Sequence, residues 1–417
     1  ARHGTVAEMN RRWGSTYAAF ADVPVPKPFA PGAVSVDFVR FNQEEFAGFH
    51  RWMADVIHEM APAVPVHAKI MMGAHFGRQA HGIWSVDPEL FGDLSQIHGN
   101  DCYCMASARG EWANGWLLHQ MAYDFQRSMG DKPVFNSENH VIADRDHRDI
   151  PAGHLYSTLW QGALHGQSAT TIWVWQRTFD HLSDLEGSII HRPAATEAAG
   201  HCALDLMRLA AEMTALQRQP PQIVLYWSQS SVIQNDAHAA ALNRCYRAAN
   251  FLGVPLGFVT DRQLEAYGTG GATPWVWSQG QVHVLLVPEA RHVSAAALAG
   301  LAKAAAGGIR VVRAGECFGA DDYGQARPKP AVIGDELAGY GPDERGLFAT
   351  FVAAAAAWGL APALTLSAAD GQPAYGVEIR SGAMPDGRLV ASICNHTREE
   401  QTVVLRRHGT PVAALNL

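Results

Sequence analysis

Glu138 comes directly after a short apolar run that begins at Pro133. Such a run predicts a buried strand with the carboxylate at its C-terminal end. About thirty residues later a second predicted strand, Ala169–Arg177, carries Trp173 and Trp175. A carboxylate at the tip of one parallel strand, with tryptophans on the next, is typical of a sugar site in a (β/α)8 barrel. The alternative is a strand-end carboxylate that caps a helix or pairs with an arginine.

Donor side chains near Glu138 could keep its carboxylate ionised. Asn136 and His140 flank it in the sequence, and Tyr103 lies in the preceding predicted strand region. Hydrogen bonds to a carboxylate lower its pKa, so these three are candidate partners. Trp173 and Trp175 are two residues apart, and on a strand they would share one face, either in the barrel core or against a sugar.

Composition excludes several partner classes. The 417 residues carry 40 acidic and 32 basic side chains, a formal net charge of -8, without a basic block. Nucleic acid is therefore not expected as a partner. No apolar run reaches the length of a membrane span, so no membrane partner is expected. No metal or other cofactor is expected, because His75, His81 and His98 have irregular spacing for a metal site.

Alternating strands and helices organise the first half of the chain. Strands are predicted near residues 66, 97, 134 and 172, the first over Val64–Met72. Helical patterns alternate with them, and a long one over Asp37–Met60 precedes the first strand. This alternation predicts a parallel sheet, and four strands are half of a (β/α)8 barrel.

The composition changes near Gln217-Arg-Gln-Pro-Pro221, which has the character of a linker. The following segment alternates buried strands and helices and has no G-x-G-x-x-G or P-loop pattern, so it predicts a Rossmann-like α/β domain without a nucleotide site. From Pro362 onward, short alternating strands predict a small all-β domain. The predicted domains are residues 1–218, 219–361 and 362–417.

Several ordered motifs resemble glycoside hydrolase family 42, the bacterial β-galactosidases. Asn100-Asp-Cys-Tyr103 is similar to the family's sixth barrel strand, and Met129–Glu138 is similar to the seventh. Trp173-Val-Trp-Gln-Arg177 is similar to the eighth. Asn250–Asp261 and Val284–Pro288 are similar to the family's trimerisation domain.

The resemblance implies a retaining exo-glycosidase in which Glu138 is the catalytic nucleophile. It implies an α/β fold: the C-terminal half of a (β/α)8 TIM barrel, a Rossmann-like, class I amidotransferase-like trimerisation domain, and the start of a small β-sandwich. It implies a carbohydrate substrate and a homotrimer. The substrate-binding residues that it and the spacing indicate are Trp173, Trp175, Asn100, Asp101, Tyr103, Asn136, His140, Glu186 and His191.

Retaining glycosidases need two carboxylates about 5–5.5 Å apart. The resemblance places the acid/base glutamate on the fourth barrel strand, which we expect to precede Ala1 in a longer protein. The 417 residues alone are accordingly expected to be inactive. Asp101 is the alternative second carboxylate, and its other role would be to orient a neighbour or a sugar hydroxyl.

Three alternatives stay open for the function. The terminal sugar is expected to be β-D-galactose, with a β-mannoside or another β-hexoside as the alternative. The chain could also be an inactive, carbohydrate-binding scaffold. An amidotransferase activity of the second domain is disfavoured, because Cys245 lies in a predicted helix and Cys317 in a late loop, neither at a nucleophile elbow. The sequence does not distinguish a cytoplasmic from a periplasmic location.

Overall fold

Three parallel strands form the sheet that carries Glu138. The computed structural model places these strands at β1 (His98–Asn100), β2 (Val134–Asn139) and β3 (Gln167–Ile172), in the order β1-β2-β3. Their parallel pairing confirms the prediction from the alternating pattern. Because carboxyl ends of parallel strands meet at one edge, the ends of β1, β2 and β3 share one face of the molecule. The structure describes residues 2–26, 30–77, 84–106, 110–142, 150–175, 188–235, 237–280 and 282–417.

The predicted strand Val64–Met72 is wrong as a regular strand. The segment has no regular secondary structure up to Met71, and Met72 begins a short helix. Its carbonyls still accept hydrogen bonds beside β1: Gln96 N donates to Val66 O at 2.9 Å, and Asp101 N donates to Ile70 O at 2.9 Å. The segment therefore lies along β1 with too few regular contacts to form a ladder.

The predicted strand Ala169–Arg177 is too long at its C-terminal end. Strand β3 ends at Ile172, and Trp173 N makes one further hydrogen bond, to Asn139 O at 3.0 Å. Val174 O and Trp175 O instead accept hydrogen bonds from the amides of Ile189 and Ile190. Both tryptophans consequently lie beyond the ladder.

Two helices that precede β1 begin at residues suited to helix starts. Thr5 and Asp87 accept hydrogen bonds from the first turns that follow them, and Pro88 occupies a first-turn position where its missing N–H costs nothing. The helices of residues 2–217 are α1 (Val6–Trp13), α2 (Ala33–Met60), α3 (Met72–His75), α4 (Pro88–Leu94), α5 (Trp116–Arg127), α6 (Ala152–Leu164), α7 (Pro193–Arg208) and α8 (Ala210–Gln217), with short 3-10 helices at Phe20–Asp22 and Ile189–His191.

A second parallel sheet follows, with strand order β5-β4-β6-β7-β8. Alternate residues of β4 enter two different cores: Ile223 and Leu225 on one side, Val224 and Tyr226 on the other. Burial on both faces is what a parallel sheet covered by helices requires. The strands are β4 (Ile223–Trp227), β5 (Leu256–Thr260), β6 (Val284–Pro288), β7 (Arg310–Ala314) and β8 (Asp335–Glu336). The helices are α9 (Gln229–Gln234), α10 (Ala237–Asn250), α11 (Asp261–Gly268), α12 (Trp275–Ser278), α13 (Ala295–Ala306) and α14 (Glu344–Ala355).

The C-terminal strands pair antiparallel, as their short alternating pattern predicts. They form a β10-β11 hairpin and a three-stranded sheet in the order β13-β12-β9. The sequence pattern did not predict β9 or β13. The bounds are β9 (Leu364–Ala368), β10 (Val377–Ala383), β11 (Leu389–Asn395), β12 (Thr402–Arg407) and β13 (Thr410–Asn416).

A buried ionic network joins the helices of the first sheet to β10. Glu378 accepts hydrogen bonds from Arg380 Nε at 3.0 Å and from His165 Nε2 at 2.9 Å. His165 Nδ1 lies 3.1 Å from Asp124 Oδ2, and Arg380 lies 3.1 Å from the same oxygen. All four side chains are buried, so charges from three segments neutralise one another at this junction.

The domain boundaries after residues 218 and 361 stay predictions, since one apolar core runs from Ala47 to Tyr375. Among the described helices, none is both long and apolar enough to cross a bilayer.

Candidate active site

The Glu138 carboxylate lies at the carboxyl edge of the first sheet, next to the last residue of β2. One of its oxygens contacts the ammonium group of Lys69, and the other lies 3.0 Å from His140 Nε2. Asp101, just after β1, lies 3.6 Å from the same Lys69 ammonium. The side chain of Glu138 is 19% exposed, so it is open to a ligand at this edge.

Charge partners give Glu138 and Asp101 opposite pKa shifts. Burial raises the pKa of Glu138, but the hydrogen bonds from Lys69 and His140 outweigh it, and the net pKa is lowered. Burial and the negative charge of Glu138 together raise the pKa of Asp101, despite the opposing charge of Lys69. Two neighbouring carboxyl groups with separated pKa values are common where one acts as an ionised base or nucleophile. Glu138 is the group that is kept ionised.

A buried hydrogen-bond chain fixes the backbone beneath Glu138. The side-chain oxygen of Asn136 accepts from Glu138 N at 3.3 Å. The amide nitrogen of Asn136 donates to Cys102 O and, at 2.8 Å, to the hydroxyl of Tyr123. Tyr123 in turn donates to Gln167 Oε1 at 2.6 Å. Asn136 is fully buried, so it positions Glu138 from below and does not reach a ligand.

Aromatic rings surround the carboxylate on its open side. The His140 ring lies 5.4 Å from the ring of Tyr103 and 5.8 Å from the ring of Trp173, measured between centroids. Trp175 is 58% exposed, an unusual exposure for a tryptophan and suited to a stacking surface. Predicted residues Asp101, Tyr103, His140 and Trp173 therefore meet around Glu138, and Trp175 follows on the same chain segment.

Two predicted site residues do not join this cluster in the described part of the chain. Asn100 is fully buried, and its amide donates to Gln126 Oε1 of α5 at 2.7 Å, so the prediction that it binds substrate is wrong. Successive side chains of a strand point to opposite faces, so the Asn100 side chain points away from that of Asp101. His191 is exposed at the end of the 3-10 helix that pairs with Val174 and Trp175. Glu186 lies outside the described residues.

Sequence reasoning missed Lys69. Its position at the carboxyl end of the segment beside β1 was the available signal, because a lone cation there must meet the carboxylates that end the neighbouring strands. Asp101, Glu138 and His140 could each offer an atom to a metal ion, and these atoms lie within 4.8 Å of one another. The Lys69 ammonium already places a positive charge against both carboxylates, which does not favour a divalent ion.

Comparisons with known proteins show which proteins this chain is similar to. Residues 1–198 match the sequence profile of glycoside hydrolase family 42, described as β-galactosidase. The first 198 of the 417 residues are therefore similar to family 42, which agrees with the resemblance of the sequence motifs. The α/β fold class is thereby confirmed, and the structural relatives are family 42 enzymes.

Three similar proteins are distant from this chain in sequence. A β-galactosidase of Arthrobacter sp is 26% identical over 115 residues, which cover 25% of this chain and 15% of that protein. The family 42 exo-carrageenase of Bacteroides ovatus superposes with a TM-score of 0.82 at 21% identity, over 100% of this chain and 60% of its own. The β-galactosidase of Rahnella sp. R3 gives 0.77 at 16% identity, over 100% and 72%. The chain thus spans 60% of the exo-carrageenase, and these structures establish the fold alone.

Proposed function

We propose that the protein is a retaining exo-glycosidase that removes terminal β-D-galactosyl residues, with Glu138 as the nucleophile. The observation that carries this proposal is the ionised Glu138 carboxylate at the carboxyl edge of the parallel sheet, open to a ligand and flanked by aromatic rings. Barrel enzymes place catalytic groups at this edge. The family relationship supports the choice of a β-galactoside.

In the proposed mechanism Glu138 attacks the anomeric carbon and forms a covalent glycosyl-enzyme, while an acid protonates the leaving oxygen. Water then attacks the same carbon, the acid residue acts as base, and Glu138 leaves as a carboxylate. We propose that the acid/base residue lies on a barrel strand other than β1, β2 and β3. Asp101 is the alternative, because its carboxylate lies within 4.8 Å of Glu138 and has a raised pKa.

The neighbouring side chains have binding roles in this proposal. Trp173 and Trp175 stack on the sugar, and Asp101, Tyr103 and His140 bond its hydroxyls. Glu186 and His191, which follow the two tryptophans on the same chain segment, are proposed to bind further sugar hydroxyls. The second domain is proposed to assemble a homotrimer.

A catalytically inactive, carbohydrate-binding scaffold is the second candidate. The contact between Lys69 and Glu138 favours it, because a cation held on a carboxylate reduces its nucleophilicity.

A mechanism-based label separates the two candidates. The intact protein is assayed on nitrophenyl β-galactoside, β-mannoside and β-glucoside and on carrageenan oligosaccharides, since one structural relative is an exo-carrageenase. It is then incubated with 2-deoxy-2-fluoro-galactosyl fluoride and digested for mass spectrometry. Turnover with a fluoroglycosyl label on Glu138 supports the retaining enzyme. Binding of the sugar without turnover or label supports the scaffold.

A further inference from the structure

A cavity of about 530 Å³ lies at the opposite end of the first sheet from Glu138. Lys132 and Pro133, just before β2, form one wall, and Gly166, just before β3, forms another. The linker residues 217–221 and Trp275 of α12 close it on the side of the second sheet. Glu138 follows Pro133 by five residue steps along β2, which is roughly 16 Å of strand. The cavity is therefore separate from the candidate active site.

The cavity is positively charged in a protein whose formal net charge is -8. Four basic side chains and two acidic ones line it. Two of the basic groups are already engaged. Arg380 is paired with Asp124 and Glu378, and Lys132 donates to the carbonyls of Gly92 and Ser95 at 2.7 and 2.8 Å.

Arg127, the last residue of α5, is one of the cavity's cations that has no partner among the described residues. Its guanidinium makes no hydrogen bond or ion pair with any other described residue, although it is partly buried. Burial lowers its pKa to about 10, and the charges of Arg380 and Arg218 act in the same direction, against those of Asp124 and Asp131. An arginine stays protonated near neutral pH, so this half-buried cation lines the cavity without a protein partner. An anion bound in the cavity would supply that partner.

The absence of a side chain at Gly166 leaves room for the Arg127 side chain beside the cavity. A Cβ at this position would lie 1.8 Å from Arg127 Cδ, and the glycine has a φ of +121°, which favours glycine. Arg218, directly after α8, is exposed at the cavity rim, and its guanidinium also lacks a partner among the described residues. Two guanidinium groups without partners therefore border one cavity.

We propose that this cavity binds a small organic molecule bearing a phosphate or sulfate group, whose oxyanion pairs with Arg127 and Arg218. Guanidinium groups match tetrahedral oxyanions because they donate two parallel hydrogen bonds. The cavity has the size of pockets that enclose whole small molecules, well beyond an inorganic anion. Trp275 and the prolines of the linker supply an apolar wall for the organic part, and a sugar ring fits the stacking surface that the indole offers.

Calorimetric titration of the intact protein in a low-salt zwitterionic buffer tests this proposal. The probes are inorganic phosphate, inorganic sulfate, glucose 6-phosphate, galactose 6-sulfate and neutral galactose, so that phosphate and sulfate esters are compared directly. We expect one or both esters to bind more tightly than the inorganic ions, and galactose not to bind here. Added salt should weaken the binding, since it depends on charge. Which ester binds identifies the source of the oxyanion.

Variants assign the binding to the cavity. Arg127→Met and Arg218→Ala should each weaken the Kd of the bound ester by about tenfold or more, the value of one charge-assisted hydrogen bond. Arg51→Ala removes an exposed charge on α2 and should leave the Kd unchanged. Arg218→Ala keeps the test decisive if Arg127→Met does not fold. Absence of binding for all charged probes at millimolar concentration, or equal Kd values in wild type and both cavity variants, overturns the proposal. If the inorganic ions bind as tightly as the esters, the proposal that the ligand is an organic molecule is wrong.

Discussion

Lys69 and Glu138 form an ion pair across the carboxyl edge of the first sheet, and the Lys69 ammonium also lies 3.6 Å from Asp101 Oδ2. The Lys69 ammonium thus lies against both carboxylates, Glu138 and Asp101. Burial opposes the charge on Lys69, but the two carboxylates outweigh it and raise its pKa. The ionisation of the proposed nucleophile therefore depends on Lys69, a residue that the sequence motifs did not indicate.

Replacement of Lys69 should raise the pKa of Glu138. In Lys69→Met the remaining effects are burial, which raises that pKa, and the hydrogen bond from His140. A carboxyl group whose pKa is lower in the folded than in the unfolded protein stabilises the fold at pH values above the unfolded pKa. This stabilisation is lost as the pH falls through the folded pKa. The variant should lose this contribution. The acid limb of kcat/KM should move to higher pH, and ¹³C NMR titration of Glu138 should show the same shift.

Lys329→Met is the matched control, because Lys329 is exposed and far along the chain from the site. Its pH profile and the Glu138 titration should match wild type. An unchanged Glu138 titration in Lys69→Met would mean that the ion pair has no electrostatic effect in solution.

Asp101→Asn tests the alternative second carboxylate. If Asp101 orients Lys69 and a sugar hydroxyl, the variant should lose about ten- to hundredfold in kcat/KM through weaker transition-state binding, and azide should not restore it. If Asp101 is the acid/base, substrates with good leaving groups should retain fast glycosylation, and azide should yield a glycosyl azide of retained configuration. The anomeric configuration of the product, read by NMR, distinguishes the two roles.

The sequence located Glu138 correctly at a sheet edge because a strand-end carboxylate leaves a local pattern. Parallel pairing of β1, β2 and β3 followed from the alternation of strands and helices. Asn100 was misplaced because a one-residue difference in register reverses the side on which a side chain lies. Lys69 was missed because its partner is 69 residues away and its own segment is too irregular for a strand.

The buried network at Glu378 was likewise outside the reach of local patterns. Its members come from α5, the end of α6 and β10, and each ion is acceptable in the core only because the others are present. The structure places His165 between Asp124 and Glu378.

Glu378→Gln should destabilise the protein strongly. The change leaves Arg380 and His165 with one fewer buried counter-charge, and breaking a buried ion pair from one side costs about 3–5 kcal/mol. Urea unfolding at neutral pH measures the loss. Glu336→Gln, at an exposed position, should change the free energy of unfolding by less than about 0.5 kcal/mol. Equal stabilities of the two variants would contradict a stabilising network.

The same network predicts how stability depends on pH. Burial and the Arg380 charge lower the pKa of His165, but Asp124 and Glu378 outweigh them and raise it. Its contribution is complete below the unfolded histidine pKa, about 6.5, and is lost as pH rises through the higher folded value. Burial raises the pKa of Glu378, but His165, His396 and Arg380 lower it overall, so its contribution is lost as pH falls from about 4.3. Thermal unfolding should therefore show a network-dependent maximum between about pH 4.3 and 6.5 that is absent in Glu378→Gln.

The proposed assembly is a homotrimer of the intact protein. Light scattering coupled to size exclusion at micromolar concentration should give three times the chain mass. A monomer under these conditions would contradict the role proposed for the second sheet and its helices, without affecting the assignment of Glu138.

Glu138→Gln is the most direct test of the proposed chemistry. The substitution keeps shape and most hydrogen bonding while removing the nucleophile, so activity should fall by several orders of magnitude, each tenfold corresponding to about 1.4 kcal/mol of barrier. Folding should be largely intact, since Glu138 lies at the sheet edge and contributes no apolar burial. In Glu138→Gly, azide should enter the vacated space and attack from the face that Glu138 used, giving a galactosyl azide of inverted anomeric configuration. Near wild-type turnover by Glu138→Gln would refute the nucleophile assignment. Loss of stability together with activity, without azide rescue, would indicate a structural glutamate paired with Lys69.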